Sequence, residues 1–304
     1  MVTRCVAAIP AVLLCMVGVL GFSAGDLLQP TGEIAFASNR DGNFEIYLMM
    51  ADGSKPRNLT NHRALDYAPS WSPNGEQLAF QTNRDGNDEI YLMNADGSGL
   101  INLTKNAAKD SGPNWSPDGK RLLFVSDRDH KSRELYVMNV DGTKVKRLTH
   151  NELYEEMPVW SRDGKRFAFC RELKDPVQKD QAGNGEVFIM NADGSKERRL
   201  TESPGFDSGS AWSPEGRRIA FHSRQGDSTD ILIMGSDGKN VTNVTHDAPD
   251  DYYPAWSPDG NWIIYCSGQK NQYNLWRIRT DGTGRQRLTD HSGRDQAPAW
   301  RPKL

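Results

Sequence analysis

Cysteine is scarce in this chain, at four in 304 residues. Cys5 and Cys15 lie in an apolar leader. Cys170 and Cys266 each directly follow the aromatic residue of one strand (Phe169, Tyr265) in two non-neighbouring copies of a repeat, and such positions lie beyond the ~7 Å Cα separation that a disulfide tolerates. A disulfide framework is therefore excluded, and both are read as buried free thiols. Neither sign of charge dominates: 37 Lys and Arg stand against 40 Asp and Glu, which leaves no basic footprint for nucleic acid. The chain has no G-x-S-x-G string for a nucleophile elbow and no short His spacing for a metal. No apolar run after the leader is long enough to span a membrane. With 37% hydrophobic and 25% charged residues, there is enough apolar material for a soluble globular protein.

The leader reads as a secretory signal peptide. Arg4 precedes an apolar run over residues 5–22, broken by Pro10 and glycines, and Ser23-Ala24-Gly25 follows, the order of segments such a peptide shows. The cleavage point stays open: a cut after Ala24 puts the bulky Phe22 at minus three, whereas a cut after Gly25 has the small Ser23 there, and an uncleaved membrane anchor is the alternative. Cys15 follows two leucines, which argues against a lipoprotein site. Residues 1–25 are taken as leader, 26–30 as a short linker and 31–304 as one folded unit.

What the chain has in abundance is repetition. Trp71, Trp115, Trp160, Trp212, Trp256 and Trp300 recur at intervals of 44, 45, 52, 44 and 44, and most open the string W-S-P-[DNE]-G. A period near 44 is that of a propeller blade. Each unit continues into a short apolar stretch such as Leu78-Ala79-Phe80, then an alternating run such as Glu89-Ile90-Tyr91-Leu92-Met93-Asn94, a D-G turn, and a run ending in L-T. These predict four strands per unit. The six D-G pairs, Asp52-Gly53 to Asp281-Gly282, suit tight hairpins that need positive φ. Both tight-turn classes fall at one end of each unit, so one face is uniform and the other variable. The first unit lacks the Trp strand, whereas the chain stops just after Ala297-Pro298-Ala299-Trp300. The surplus pieces complete one blade. The predicted fold is an all-β, six-bladed β-propeller of four-stranded antiparallel blades, closed by pairing the C-terminal strand with the N-terminal strands, which removes an open sheet edge.

The strings W-S-P-D-G, N-R-D-G-N-x-E-I-Y and M-N-A-D-G-S resemble those of the TolB-type β-propeller repeat family over essentially residues 31–304. The resemblance implies a propeller like the C-terminal domain of periplasmic TolB, a periplasmic or secreted location and a protein- or peptide-binding role. Residues 25–31 leave no room for the N-terminal α/β domain found in TolB, so a direct Tol-system role is not expected.

The sharpest constellation is the acid five residues before each Trp: Asp66, Asp110, Glu155, Asp207, Asp251 and Asp295. On innermost strands these would form a carboxylate ring at the channel mouth on the variable face, flanked by Tyr67, Glu156, Tyr252, Tyr253 and Gln296. Such a ring could hold Ca²⁺ through oxygen ligands or meet a cationic partner group, although no cofactor is required. The competing and preferred expectation is local pairing, because Arg40, Arg84, Arg128, Arg171 and Arg224 return along the antiparallel second strand to the same mouth. Blade 6 offers only Gly268-Gln269-Lys270 there, which singles out Asp251 as the acid left free. The tyrosines serve a partner or pack between blades. Eight extra residues within 171–185 read as a surface loop. His62, His150, His246 and His291 are expected at the outer rim. The function expected is a monomeric, non-catalytic scaffold. The alternatives are a glycan-active, polysaccharide lyase-like propeller and a propeller subunit regulating a separate peptidase.

Overall fold

The computed structural model describes residues 30–129, 132–173, 184–246 and 249–303; the leader and most of the linker lie outside them. Among the described residues, twenty-four strands form six four-stranded antiparallel sheets. Blade 1 comprises β1 (Glu33–Ser38), β2 (Glu45–Met50) and β3 (Arg57–Asn58). Blade 2 comprises β4 (Asp66–Trp71), β5 (Gln77–Thr82), β6 (Glu89–Asn94) and β7 (Ile101–Asn102). Blade 3 runs β8 (Asp110–Trp115), β9 (Arg121–Ser126), β10 (Glu134–Asn139) and β11 (Lys146–Arg147), and blade 4 runs β12 (Tyr154–Trp160), β13 (Arg166–Glu172), β14 (Gly185–Asn191) and β15 (Arg198–Arg199). Blade 5 holds β16 (Asp207–Trp212), β17 (Arg218–Gln225), β18 (Ser228–Gly235) and β19 (Thr242–Asn243). Blade 6 holds β20 (Asp250–Trp256), β21 (Trp262–Gln269), β22 (Gln272–Arg279) and β23 (Gln286–Arg287). The last strand, β24 (Asp295–Trp300), pairs with β1 to complete blade 1 in the order β24-β1-β2-β3. Ile34 faces Trp300 and Ser38 faces Asp295 across that seam. The circular closure expected from the surplus strands is thus observed.

The core is a ring of six interfaces. Each hydrophobic cluster draws on two neighbouring blades: Leu123 and Val125 of blade 3 pack with Phe167, Phe169 and Phe188 of blade 4, and Ile34 and Phe36 of blade 1 pack with Ile264 and Leu275 of blade 6. A single blade cannot bury both faces of its sheet, so neighbours must stack. The D-G turns lock the same arrangement from outside. Gly97 sits at φ 93, and a Cβ there would lie 2.6 Å from the Leu59 carbonyl oxygen of the preceding blade. Glycine is required both by its backbone angle and by this close approach.

The N-R-D-G-N-x-E-I-Y string is a set of side-chain ties that steer the chain into the next blade. In blade 1, Asn43 Nδ2 donates to the carbonyls of His62 at 2.9 Å and Ala64 at 2.6 Å. Glu45 accepts from the His62 N–H at 2.8 Å and from the Thr60 hydroxyl. Blade 2 repeats this with Asn87, Glu89, Asn106, Ala108 and Thr104. These bonds satisfy a loop backbone that has no sheet partner, and they deliver the next innermost strand at a fixed position.

Candidate functional site: the channel and its variable face

Each innermost strand carries the predicted acid as its first or second residue and ends with the predicted Trp. The six carboxylates are buried, at 0–1% exposure, and most are consumed by their own blade. Arg84 Nη2 donates to both oxygens of Asp66 at 3.2 and 3.1 Å, its Nε donates to Thr82 Oγ1 at 3.2 Å, and its guanidinium lies over Phe80 and Tyr91. Arg40 serves Asp295 and Arg128 serves Asp110 in the same way. In blade 4, Arg171 Nη2 reaches Glu155 at 2.6 Å and the same guanidinium binds Glu197. Burial nevertheless raises the Glu155 carboxyl above its usual range, against the pull of Arg171. The tyrosines under Arg40, Arg84 and Arg128 are each anchored on an aspartate: Tyr91 donates to Asp85 and is pushed up to about 12, first by burial and then by that carboxylate.

Two blades depart from the pattern. Asp207 accepts from the hydroxyls of Ser223 and Ser203, while Arg224 Nε donates to the Gly226 carbonyl. Burial raises the Asp207 carboxyl, with those hydroxyls pulling the other way. Asp251, expected to be free, instead faces Arg285 Nη2 at 3.8 Å. Arg285 precedes the outermost strand of blade 6 and crosses the sheet inward, stacking over Trp276 and donating to Ser267 Oγ at 3.1 Å. It occupies the repeat position that Glu197 has in blade 4. A guanidinium from the outer edge thus replaces the missing one on the second strand.

The acids therefore lie beneath the mouth, and the residues after them face it. Tyr67, Glu156, Tyr252 and Gln296 are half-buried. Tyr67 packs edge-on against Phe44 and donates to Gln296 Oε1 at 3.2 Å. Glu156 pairs with Arg133 at 3.0 Å, and Tyr252 packs on His222, Tyr253 and Tyr273. Leu65 and Tyr154, each one residue before an acid, are 50% and 46% exposed on the same end. Sequence reasoning passed over both.

It also missed a bulge in every innermost strand. Pairing skips two residues opposite one, as between Tyr67 and Ser70, in all six blades. The second residue after each acid has positive φ: Ala68, Gly112, Met157, Gly209, Tyr253 and Ala297. The signal was present, since Pro follows at the next position in five blades and Pro inside a strand marks a bulge. The bulges turn these residues toward the axis, where they bound a cavity of about 440 Å³ that runs from Tyr67, Met157 and Tyr253 to the W-S-P turns and Lys303. Among the described residues, no three His, Cys, Asp or Glu side chains converge to hold a metal ion.

One histidine differs from expectation in reach: His291 Nδ1 accepts from the Gly293 N–H at 2.9 Å and its Nε2 lies 2.8 Å from Asp295. Cys170 and Cys266 are free and buried. Of the blade 4 insertion, residues 174–183 lie outside the described residues.

The TolB beta propeller domain matches residues 65–180 and 174–304. The chain belongs to this family. Among curated relatives, the Tol-Pal system protein TolB of Geobacter sulfurreducens is 50% identical over 48 residues, 16% of this chain and 11% of the relative. That of Syntrophotalea carbinolica is 42% identical over 48 residues, with the same coverage. The chain thus spans only a small part of those relatives. The crystal structure of TolB from Acinetobacter baumannii superposes with a TM-score of 0.76 at 25% identity, covering 90% of this chain and 67% of that one. No helix among the described residues is long and apolar enough to cross a membrane. This TolB-type propeller therefore offers two distinct regions, a variable face whose acids are already paired and an apolar axial cavity.

Proposed function

We propose that the chain is a non-catalytic, monomeric scaffold of the cell envelope, periplasmic or secreted, that holds a protein or peptide partner on its variable face. The observation that carries this reading is the grouping of exposed Leu65 and Tyr154 with half-buried Tyr67, Glu156, Tyr252 and Gln296 at one end of the propeller. Aromatic residues ringed by polar ones suit partner recognition. The acids Asp66, Asp110, Glu155, Asp207, Asp251 and Asp295 contribute by fixing the strands that carry those side chains, and no bound cation enters the proposal. Location rests on the signal-like leader and on the likeness to TolB.

The test compares capture from envelope extracts by the wild-type chain and by the Leu65→Asp, Tyr154→Asp double variant, with uronic glycans assayed in parallel for unsaturated products. A specific partner retained by the wild type and lost by the double variant, with unchanged melting, supports the reading. Partner capture that survives both substitutions, or glycan cleavage by the purified chain, contradicts it.

A further inference from the structure

Blade 5 departs from every other blade at two positions, Ser210 and His222, which flank a glycine, Gly209, that it shares with blade 3 (Gly112). The third residue after the acid is proline in the other five blades and Ser210 here; the second is Gly209. The residue after the second-strand aromatic is Ala37, Gln81, Val125, Cys170 or Cys266 elsewhere and His222 here. Gly209 and Ser210 both line the cavity. Ser210 is 4% exposed and His222 5%, and neither Ser210 Oγ nor His222 Nδ1 has a hydrogen-bond partner among the described residues. A Cβ on Gly209 would lie 2.4 Å from His222 Nδ1, so the imidazole edge fills the space a side chain would take, directly behind the bare backbone of the wall.

Two unpartnered buried polar atoms, one on the residue after Gly209 and one against its Cα, are unusual, because buried donors and acceptors are normally paired. The surroundings narrow what would pair them. Tyr252 and Tyr253 stand edge-on to the imidazole at 5.2 and 5.7 Å ring separations. Burial pushes His222 down to about 3, so the ring brings no positive charge at neutral pH, and Asp207 lies three residues before Ser210, which disfavours an anion. Most of the remaining wall is proline, alanine and tryptophan, and its two cations, Arg162 and Lys303, lie past Trp160 and Trp300 at the other end of the innermost strands. An apolar cavity of a few hundred Å³ with a small number of placed polar groups is the usual form of a small-molecule site.

We propose that the blade 5 sector of the channel binds a small uncharged molecule with an apolar body and a head that both donates and accepts hydrogen bonds, a carboxamide or an alcohol, with Ser210 Oγ and His222 Nδ1 pairing that head. The site is independent of the variable-face reading and stands or falls without it.

The probes are benzamide and benzyl alcohol, with benzoate, benzylamine and toluene as controls at equal millimolar concentration, titrated against the full chain by calorimetry. The variants Ser210→Pro and His222→Val install residues that other blades already carry at these positions. Benzamide or benzyl alcohol is expected to bind at least tenfold more tightly than every control, and each variant is expected to lose at least tenfold of that affinity while melting normally. Toluene or benzoate binding as tightly as the neutral polar probes, no binding by any probe, or unchanged binding in both variants overturns the proposal. Should a variant unfold, the ¹⁵N resonance of His222 in the wild-type chain decides: a shift with benzamide and none with toluene supports the site, and equal responses refute it.

Discussion

Removing the guanidinium of Arg84 should be among the most damaging single changes to this propeller that leave its apolar core intact. The side chain of Asp66 is fully buried and that of Arg84 only 11% exposed, and the two meet through paired contacts at 3.1 and 3.2 Å. Breaking a buried ion pair by deleting one partner costs about 3–5 kcal/mol, because the other charge stays buried without compensation. Loss of the stack over Phe80 and Tyr91 adds about 0.5–2 kcal/mol. The pair Arg133–Glu156 is the internal comparison: with side chains 44% and 36% exposed, it is screened by water and contributes at most about 1 kcal/mol. Urea unfolding measures both through the midpoint, provided that the slope is unchanged. Arg84→Ala should lower the midpoint several times more than Arg133→Ala. Adding Asp66→Ala to Arg84→Ala should recover part of the loss, because no charge is then left buried. Equal small effects of the two arginine substitutions, or a double variant no better than Arg84→Ala alone, would refute the assignment of these acids to architecture.

Two further predictions concern single residues. His222 is held neutral by burial, at about 3 against an ordinary 6.5, so the unfolded chain binds one more proton than the folded one between those values; its contribution is complete above pH 6.5 and is lost as pH falls toward 3. Between pH 7 and pH 5 the wild type should lose about 2 kcal/mol more stability than His222→Val, measured by urea titration at both pH values; parallel losses would contradict the burial argument. Gly97→Ala, which places a Cβ 2.6 Å from the Leu59 carbonyl oxygen at φ 93, should destabilise by about 1–3 kcal/mol or more, whereas Gly86→Ala, at φ 107 with open space around it, should cost less by the difference in crowding. Thermal melting of the pair checks the order.

How much of this was legible in the sequence depended on whether a feature repeats. Blade number and closure followed from the tryptophans, the D-G turns and the unmatched strands at the two ends. The pairing of Arg84 with Asp66 followed from antiparallel return of the second strand. Arg285 was not legible, because it reaches Asp251 from the edge of the sheet, and in sequence it is one of several charged residues at that edge. His222 was hidden for a related reason: its role depends on the missing side chain of Gly209 and on Ser210 replacing a proline, a coincidence of three positions in two strands. The carboxylate ring was read correctly as a repeated feature but placed too near solvent, since the bulge that follows each acid was not drawn from the proline in the strand.

The most direct measurement of the central claim is site-specific photocrosslinking in the envelope of the producing cell. A crosslinker at Tyr154 on the variable face should give a discrete adduct, and one at exposed Lys144, in the hairpin at the opposite end, should give none. Adducts from Lys144 alone, or from neither position, would contradict a scaffold that holds its partner by the variable face.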